Sequence, residues 1–227
     1  MREPRKFQLV ALERFSYKEP SRFKRVMPPE LPAATTDWDF SNVNWDLYTS
    51  FYISPPSCLR FKGVVILCKA TNTTDILEGR FQGWFREGYL FADYGFLRLH
   101  FLNYSAIGSV TENYGYYLSL PLTPNSNYPW RLYKNGSSIL SGTSYLTGNF
   151  STNTWYHLRL TWWLSNNVLI VRLEKESDGT WSKVLNDLTD SSPSYQTLKR
   201  VGCWVAGNTT NPYGFCDDVE IFKIVWS

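Results

Sequence analysis

The sequence predicts an all-β chain, an antiparallel β-sandwich of jelly-roll type preceded by an extended N-terminal arm. Three observations predict it. Aromatic residues make up 17% of the 227 residues, with ten Trp and fifteen Tyr, a composition that suits half-buried pleated faces. Short alternating apolar/polar runs recur along the chain, separated by Gly, Pro, Asn, Asp and Ser clusters. Helical periodicity is almost absent, and a sandwich of this length builds a core without staples.

The elements follow in order from residue 37. Leu59 to Cys68 reads as a strand pair or one long strand broken at Gly63. Gly79–Phe85, Tyr94–Leu102 and Tyr114–Leu120 each alternate. Asn135-Gly136 between apolar runs is the strongest local signal, because a type I′ hairpin needs positive φ at both central residues. Trp155–Trp162 places Trp155, His157, Arg159 and Thr161 on one face, with Tyr156, Leu158, Leu160 and Trp162 on the other. After the Ser165-Asn-Asn167 turn come Val168–Lys175, a Ser177-Asp-Gly-Thr180 turn and Trp181–Leu185. Val201–Val205 and Asp218–Trp226 close the chain.

The domain division expected is residues 1–36 as an extended, basic, Pro-rich arm and residues 37–227 as the sandwich. Pro4, Pro20, Pro28, Pro29 and Pro32 punctuate the arm. Residues 1–26 carry a local charge of +5 within a total of +3, so the remaining chain sums to −2. Arg2, Arg5, Lys6, Arg14, Arg22, Lys24 and Arg25 form a partner-binding arm suited to other protein subunits. Glu3, Glu13 and Glu19 interrupt this basic run, and no groove-reading motif accompanies it, which argues against nucleic acid. No run of 18 apolar residues suggests a membrane span, and the N-terminus does not read as a signal peptide.

Four cysteines, Cys58, Cys68, Cys203 and Cys216, allow three pairings, and none forms a C-x-x-C zinc pair. Cys203 and Cys216 flank a Gly/Asn/Pro-rich turn and are the candidate disulfide across a hairpin, with buried free thiols as the alternative. Five Asn-x-Ser/Thr triplets start at Asn72, Asn103, Asn135, Asn149 and Asn208, all in or beside turns.

Three stretches carry a family resemblance: Thr36-Asp-Trp-Asp-Phe-Ser-Asn-Val-Asn-Trp45, Asn153-Thr-Trp-Tyr-His-Leu-Arg-Leu160 and Gly214-Phe-Cys-Asp-Asp-Val-Glu-Ile-Phe222. Together they resemble the concanavalin A-like lectin/glucanase superfamily, including laminin G-like and carbohydrate-binding jelly rolls. That resemblance implies first and last strands lying side by side. Asp37, Asp39, Asp217 and Asp218 are therefore candidate ligands of a structural Ca²⁺, against the alternative of turn-capping aspartates. The Glu-x-Asp-x-x-Glu strand of the hydrolytic branch does not occur in the sequence. In Asp217-Asp218-Val219-Glu220, Asp218 and Glu220 are expected on one face and Asp217 on the other. His157, beside Arg159, is the candidate general base if the chain cleaves polysaccharide.

Binding is therefore expected rather than catalysis. The first reading is an outer, decoration-type subunit of a larger assembly such as a virion, on the surface of a viral or other extracellular particle and anchored by the arm. The alternative is a carbohydrate-binding module using exposed aromatics, with Trp84, Trp130 and Trp163 as stacking platforms. A polysaccharide-cleaving enzyme is the third reading. No cofactor beyond Ca²⁺ is implied.

Overall fold

The computed structural model describes residues 6–13, 38–40, 45–48, 50, 52–53, 58–62, 65–68, 75–87, 96–104, 113–121, 129–142, 154–206 and 213–226. Their strands are β1 (Phe7–Glu13), β2 (Trp38–Phe40), β3 (Trp45–Tyr48), β4 (Cys58–Lys62), β5 (Val65–Cys68), β6 (Gly79–Glu87), β7 (Phe96–Asn103) and β8 (Tyr116–Pro121). They continue as β9 (Arg131–Lys134), β10 (Ser137–Ser141), β11 (Tyr156–Ser165), β12 (Val168–Ser177), β13 (Thr180–Lys183), β14 (Leu188–Asp190), β15 (Arg200–Ala206) and β16 (Tyr213–Ile224).

Two antiparallel sheets form a sandwich, as the sequence predicts. Sheet A runs β13-β12-β11-β6-β16-β4-β3, with β1 added beside β16 and β14 beside β12. Sheet B runs β10-β9-β8-β7-β15-β5-β2. The core fills the space between them: Phe81, Phe85, Leu158, Leu160 and Trp162 from sheet A meet Leu97, Leu99, Phe101, Leu118 and Leu132 from sheet B, all fully buried. Each such side chain contributes about 1.5–3 kcal/mol of burial. Phe101 packs on Trp162 across the sandwich at 5.4 Å, and the Trp162 indole donates to the Leu77 carbonyl at 3.1 Å.

The turns are the ones their residues demand. Asn135 (φ 48°) and Gly136 (φ 79°) make the expected hairpin between β9 and β10. Asn166 (φ 52°) and Asn167 (φ 61°) do the same between β11 and β12. Asn135 does more than turn. Its Oδ1 accepts the Gly115 N–H at 2.8 Å and its own N–H donates to the Gly115 carbonyl, tying the hairpin to the start of β8.

Four expectations change. Leu59–Cys68 is neither a hairpin nor one strand: β4 lies in sheet A and β5 in sheet B, so the chain changes sheet around Gly63. Phe7–Glu13, expected within a separate arm, is a strand of the sandwich. It pairs with Val219–Ile224, buries Val10 in the main core and places Phe7 under the Arg80 guanidinium at 3.7 Å. Cys203 and Cys216 belong to β15 and β16, which lie in different sheets. Both are thiols in the core, facing each other across the sandwich within hydrogen-bond reach, and Cys58 is a further buried thiol. Finally, a β-bulge between Asp217 and Glu220, with Asp218 at φ 45°, resets the alternation. Asp217 then stands opposite Trp84 and Glu220 opposite Gln82, on one face.

Candidate functional site

The outer face of sheet A is built in cross-strand rows, since paired residues of neighbouring strands stand about 4.8 Å apart. Trp84 lies opposite His157, and Glu176 opposite Trp181. The Trp84 and His157 rings stack at 4.7 Å and 11°, His157 Nδ1 hydrogen-bonds Glu176, and Trp181 tilts against His157 at 4.7 Å. In the next row Gln82 donates to Glu220, and Arg159 grips Glu174 with two bonds of 2.6 and 3.0 Å while lying 4.2 Å over the Trp181 ring. Beyond it Arg80 donates to Thr161, and Arg172 pairs with Asp187 at 2.7 Å. Burial among neighbouring cations pulls the Arg80 guanidinium down to about 10. The Arg172 and Lys183 hydrogen bonds hold Asp187 below the usual carboxylate range.

These partners occupy the ring faces that a ligand would need. Trp84, expected to be an exposed platform, is half-buried and stacked on His157. Trp163 is buried at 1% exposure, in a satellite cluster with Ile170 and Ile224 against which Phe7 and Trp226 pack. Trp130 packs against the core so closely to Gly142 that a Cβ there would lie 2.2 Å from the indole nitrogen. The three tryptophans therefore converge on no common surface, because a large apolar ring in a sandwich is usually claimed by packing. His157 is engaged as a stacked, ion-paired sheet residue.

The outer face of sheet B differs. Tyr133, Tyr117, His100 and Gly202 follow one another across β9, β8, β7 and β15. Tyr133 stacks on Tyr117 at 4.4 Å and 10°, and Tyr117 meets His100 at 5.1 Å. Beside them runs a second row, Arg131, Ser119 and Arg98. The Arg98 guanidinium lies 5.4 Å from the Tyr117 ring, and Arg131 donates to the Tyr133 hydroxyl at 3.3 Å. Exposure grades along this face: Arg131 is exposed, Tyr133 half-buried, Tyr117 buried and His100 fully buried.

His100 is the anomaly. Among the described residues neither ring nitrogen has a hydrogen-bond partner, although buried polar atoms nearly always do. Burial, aided by the Arg98 charge, pushes its pKa down to about 3, so the imidazole is neutral at pH 7. It therefore holds one donor and one acceptor side by side, both unused. The alternation in β7 put Arg98 and His100 on a polar face. Nothing in the sequence showed that this face would be covered or that Tyr117 and Tyr133 would join it.

The cation expectation fits the described residues poorly. Asp39 is on β2 in sheet B and Asp217 on β16 in sheet A, so the first and last of the resembling strands are not neighbours. Both Asp217 oxygens accept backbone N–H groups, from Ile53 and from Asp218, each at 2.9 Å. Among the described residues no three His, Cys, Asp or Glu side chains come together as a metal site. Asp37 and the Asp39 side chain lie outside the described residues, as do Arg2, Arg5, Arg14, Arg22, Lys24 and Arg25. Lys6 is exposed, and its carbonyl accepts the Val225 N–H. Of the sequons, Asn72, Asn149 and Asn208 lie outside the described residues. Asn103 is fully buried with its amide nitrogen given to the Tyr114 carbonyl. No described helix is long and apolar enough to cross a membrane.

No family model matches this chain, and no curated protein matches it in sequence. Solved structures match its fold. The VIP36 exoplasmic/lumenal domain, in a Ca²⁺/Man-bound form, superposes with a TM-score of 0.55 at 13% identity over 84% of each chain. The Emp46p carbohydrate recognition domain, in a metal-free form, gives 0.52 at 12% identity over 81% of this chain and 89% of its own. Lectin II from Ulex europaeus gives 0.51 at 10% identity over 80% and 93%. The sandwich thus has the concanavalin A-like lectin fold, as the three sequence stretches implied.

Proposed function

We propose that this chain is a carbohydrate-binding module that takes its glycan over the outer face of sheet B. One observation carries the reading: the half-buried Tyr133 ring and the exposed Arg131 stand together at the open end of the aromatic row that leads inward to Tyr117 and His100. The Tyr133 ring, the half-buried member of the row, supplies a flat apolar surface on which the C–H face of a pyranose packs. Similarity of fold to proteins named as lectins supports the same class of ligand. The expectation of an assembly subunit held by its arm finds no comparable support. The one described part of that arm, β1, pairs with β16 of its own domain.

The test is a glycan array probed with wild-type protein, Tyr133→Ala and Trp84→Ala. The reading expects a hit that weakens about tenfold or more in Tyr133→Ala, the scale of one lost ring contact with its hydrogen bond. Trp84→Ala should keep it. Loss of binding in Trp84→Ala alone would move the site to sheet A.

A further inference from the structure

We infer that the glycan taken up on this face is acidic, with its carboxylate or sulfate held by Arg131. The inference rests on the carbohydrate-binding reading above. It starts from a contrast between the molecule's cations. Arg159, Arg172, Lys183, Lys134 and Lys199 each sit within 3.1 Å of a carboxylate. Arg131 is exposed, and its hydrogen bond is to the neutral Tyr133 hydroxyl.

The surroundings of Arg131 make this more than a solvated surface charge. Ser119 separates it from Arg98 in the same row, which puts the two backbones about 10 Å apart, two strand spacings. Among the described side chains of this face there is no carboxylate. Asp39 lies on β2 at the far end of the His100 row, about 14 Å and three strands from β7. Arg131 therefore stands exposed where an anion would arrive. A guanidinium fork donates two parallel N–H bonds to a carboxylate or sulfate, a geometry that a neutral hydroxyl does not match. Tyr133 beside Arg131 takes the apolar face of the sugar, so charge and stacking select together.

The test compares an oligouronate, the same oligosaccharide with its carboxyl groups reduced to alcohols, and a sulfated oligosaccharide of equal length, each titrated into wild-type protein, Arg131→Ala, Arg131→Lys and Tyr133→Ala. The uronate or the sulfated sugar should bind wild type about tenfold or more tighter than the reduced one. The preference should shrink as salt rises from about 0.01 to 1 M, where the screening length falls from about 30 to about 3 Å. Arg131→Ala should lower acidic binding towards the level of the reduced sugar, and Arg131→Lys should keep part of it. Tyr133→Ala should weaken every sugar. Thermal melts check that each variant is folded. Equal binding of reduced and acidic sugars overturns the acidic class and leaves the carbohydrate reading standing. Binding of no sugar, here and on the array, overturns both.

Discussion

His100 should impose a pH dependence on stability that can be isolated by one substitution. Its imidazole titrates near 3 when folded, against about 6.5 in an unfolded chain. Between those values the unfolded state holds a proton that the folded state refuses, so stability rises with pH across this window and falls as pH drops below about 6.5. At pH 5 the unfolded imidazole is almost fully protonated. The penalty is then about 1.5 pH units at 1.36 kcal/mol each, or about 2 kcal/mol relative to pH 8. The perturbation is His100→Phe, which keeps a ring against Tyr117 but cannot titrate. Urea unfolding of both proteins at pH 8 and pH 5 supplies four stabilities. Groups common to both proteins and remote from the substitution cancel in the difference. The wild-type loss should exceed that of His100→Phe by about 2 kcal/mol. Equal losses would show that folded His100 takes up its proton as readily as in the unfolded chain, and would contradict the burial described for it. At pH 8 the variant should match or exceed wild type in stability, because two unpaired buried nitrogens disappear.

Asn135→Ala should cost about 1–3 kcal/mol, read as a lower Tm, because it loses the tie to Gly115 and leaves an alanine at φ 48°. Tyr116→Phe should cost about 1–3 kcal/mol, since its hydroxyl donates to Asp190 at 2.7 Å and accepts the Ser194 N–H at 3.1 Å. Burial opposes ionisation of Asp190, but the Tyr116, Ser192 and Lys134 bonds outweigh it and hold the carboxyl below the usual range. The stability linked to Asp190 is therefore present above its unfolded value and lost as pH falls through the folded one, so acid unfolding of Tyr116→Phe should be less steep. Cys58, Cys203 and Cys216 should resist iodoacetamide in the native protein and react after denaturation, as mass spectrometry would report. Burial lifts the Cys58 thiol to about 12, with Asp217 adding to the shift. Rapid native alkylation would contradict the core described for them.

Much of the fold was legible because strands advertise themselves locally. Alternation in Tyr156–Trp162 assigned both faces of β11 correctly, and Asn135-Gly136 fixed a hairpin from two residues. What stayed hidden was which sheet a strand would join. Cys203 and Cys216 look like two sides of a hairpin in sequence, yet they face each other's layers, because sheet membership depends on pairing partners far along the chain. The bulge at Asp217–Glu220 was hidden for a similar reason: one residue at positive φ reverses an alternation that the sequence writes as regular. The site was least legible. Trp84, Trp130 and Trp163, expected as exposed platforms, are claimed by packing, and the full burial of His100 on a polar face is a property that no local pattern encodes.

The chain contains two histidines, one on each outer face, and this makes them matched reporters of where a glycan binds. Imidazole ¹⁵N shifts followed during titration with a glycan found on the array test the central claim most directly. The account predicts that the His100 resonances move as a sugar packs at the Tyr133 end of its aromatic row, while those of His157, stacked on Trp84 and bonded to Glu176, stay in place. Saturable shifts at His157 with His100 unmoved would put the sugar on sheet A and contradict it.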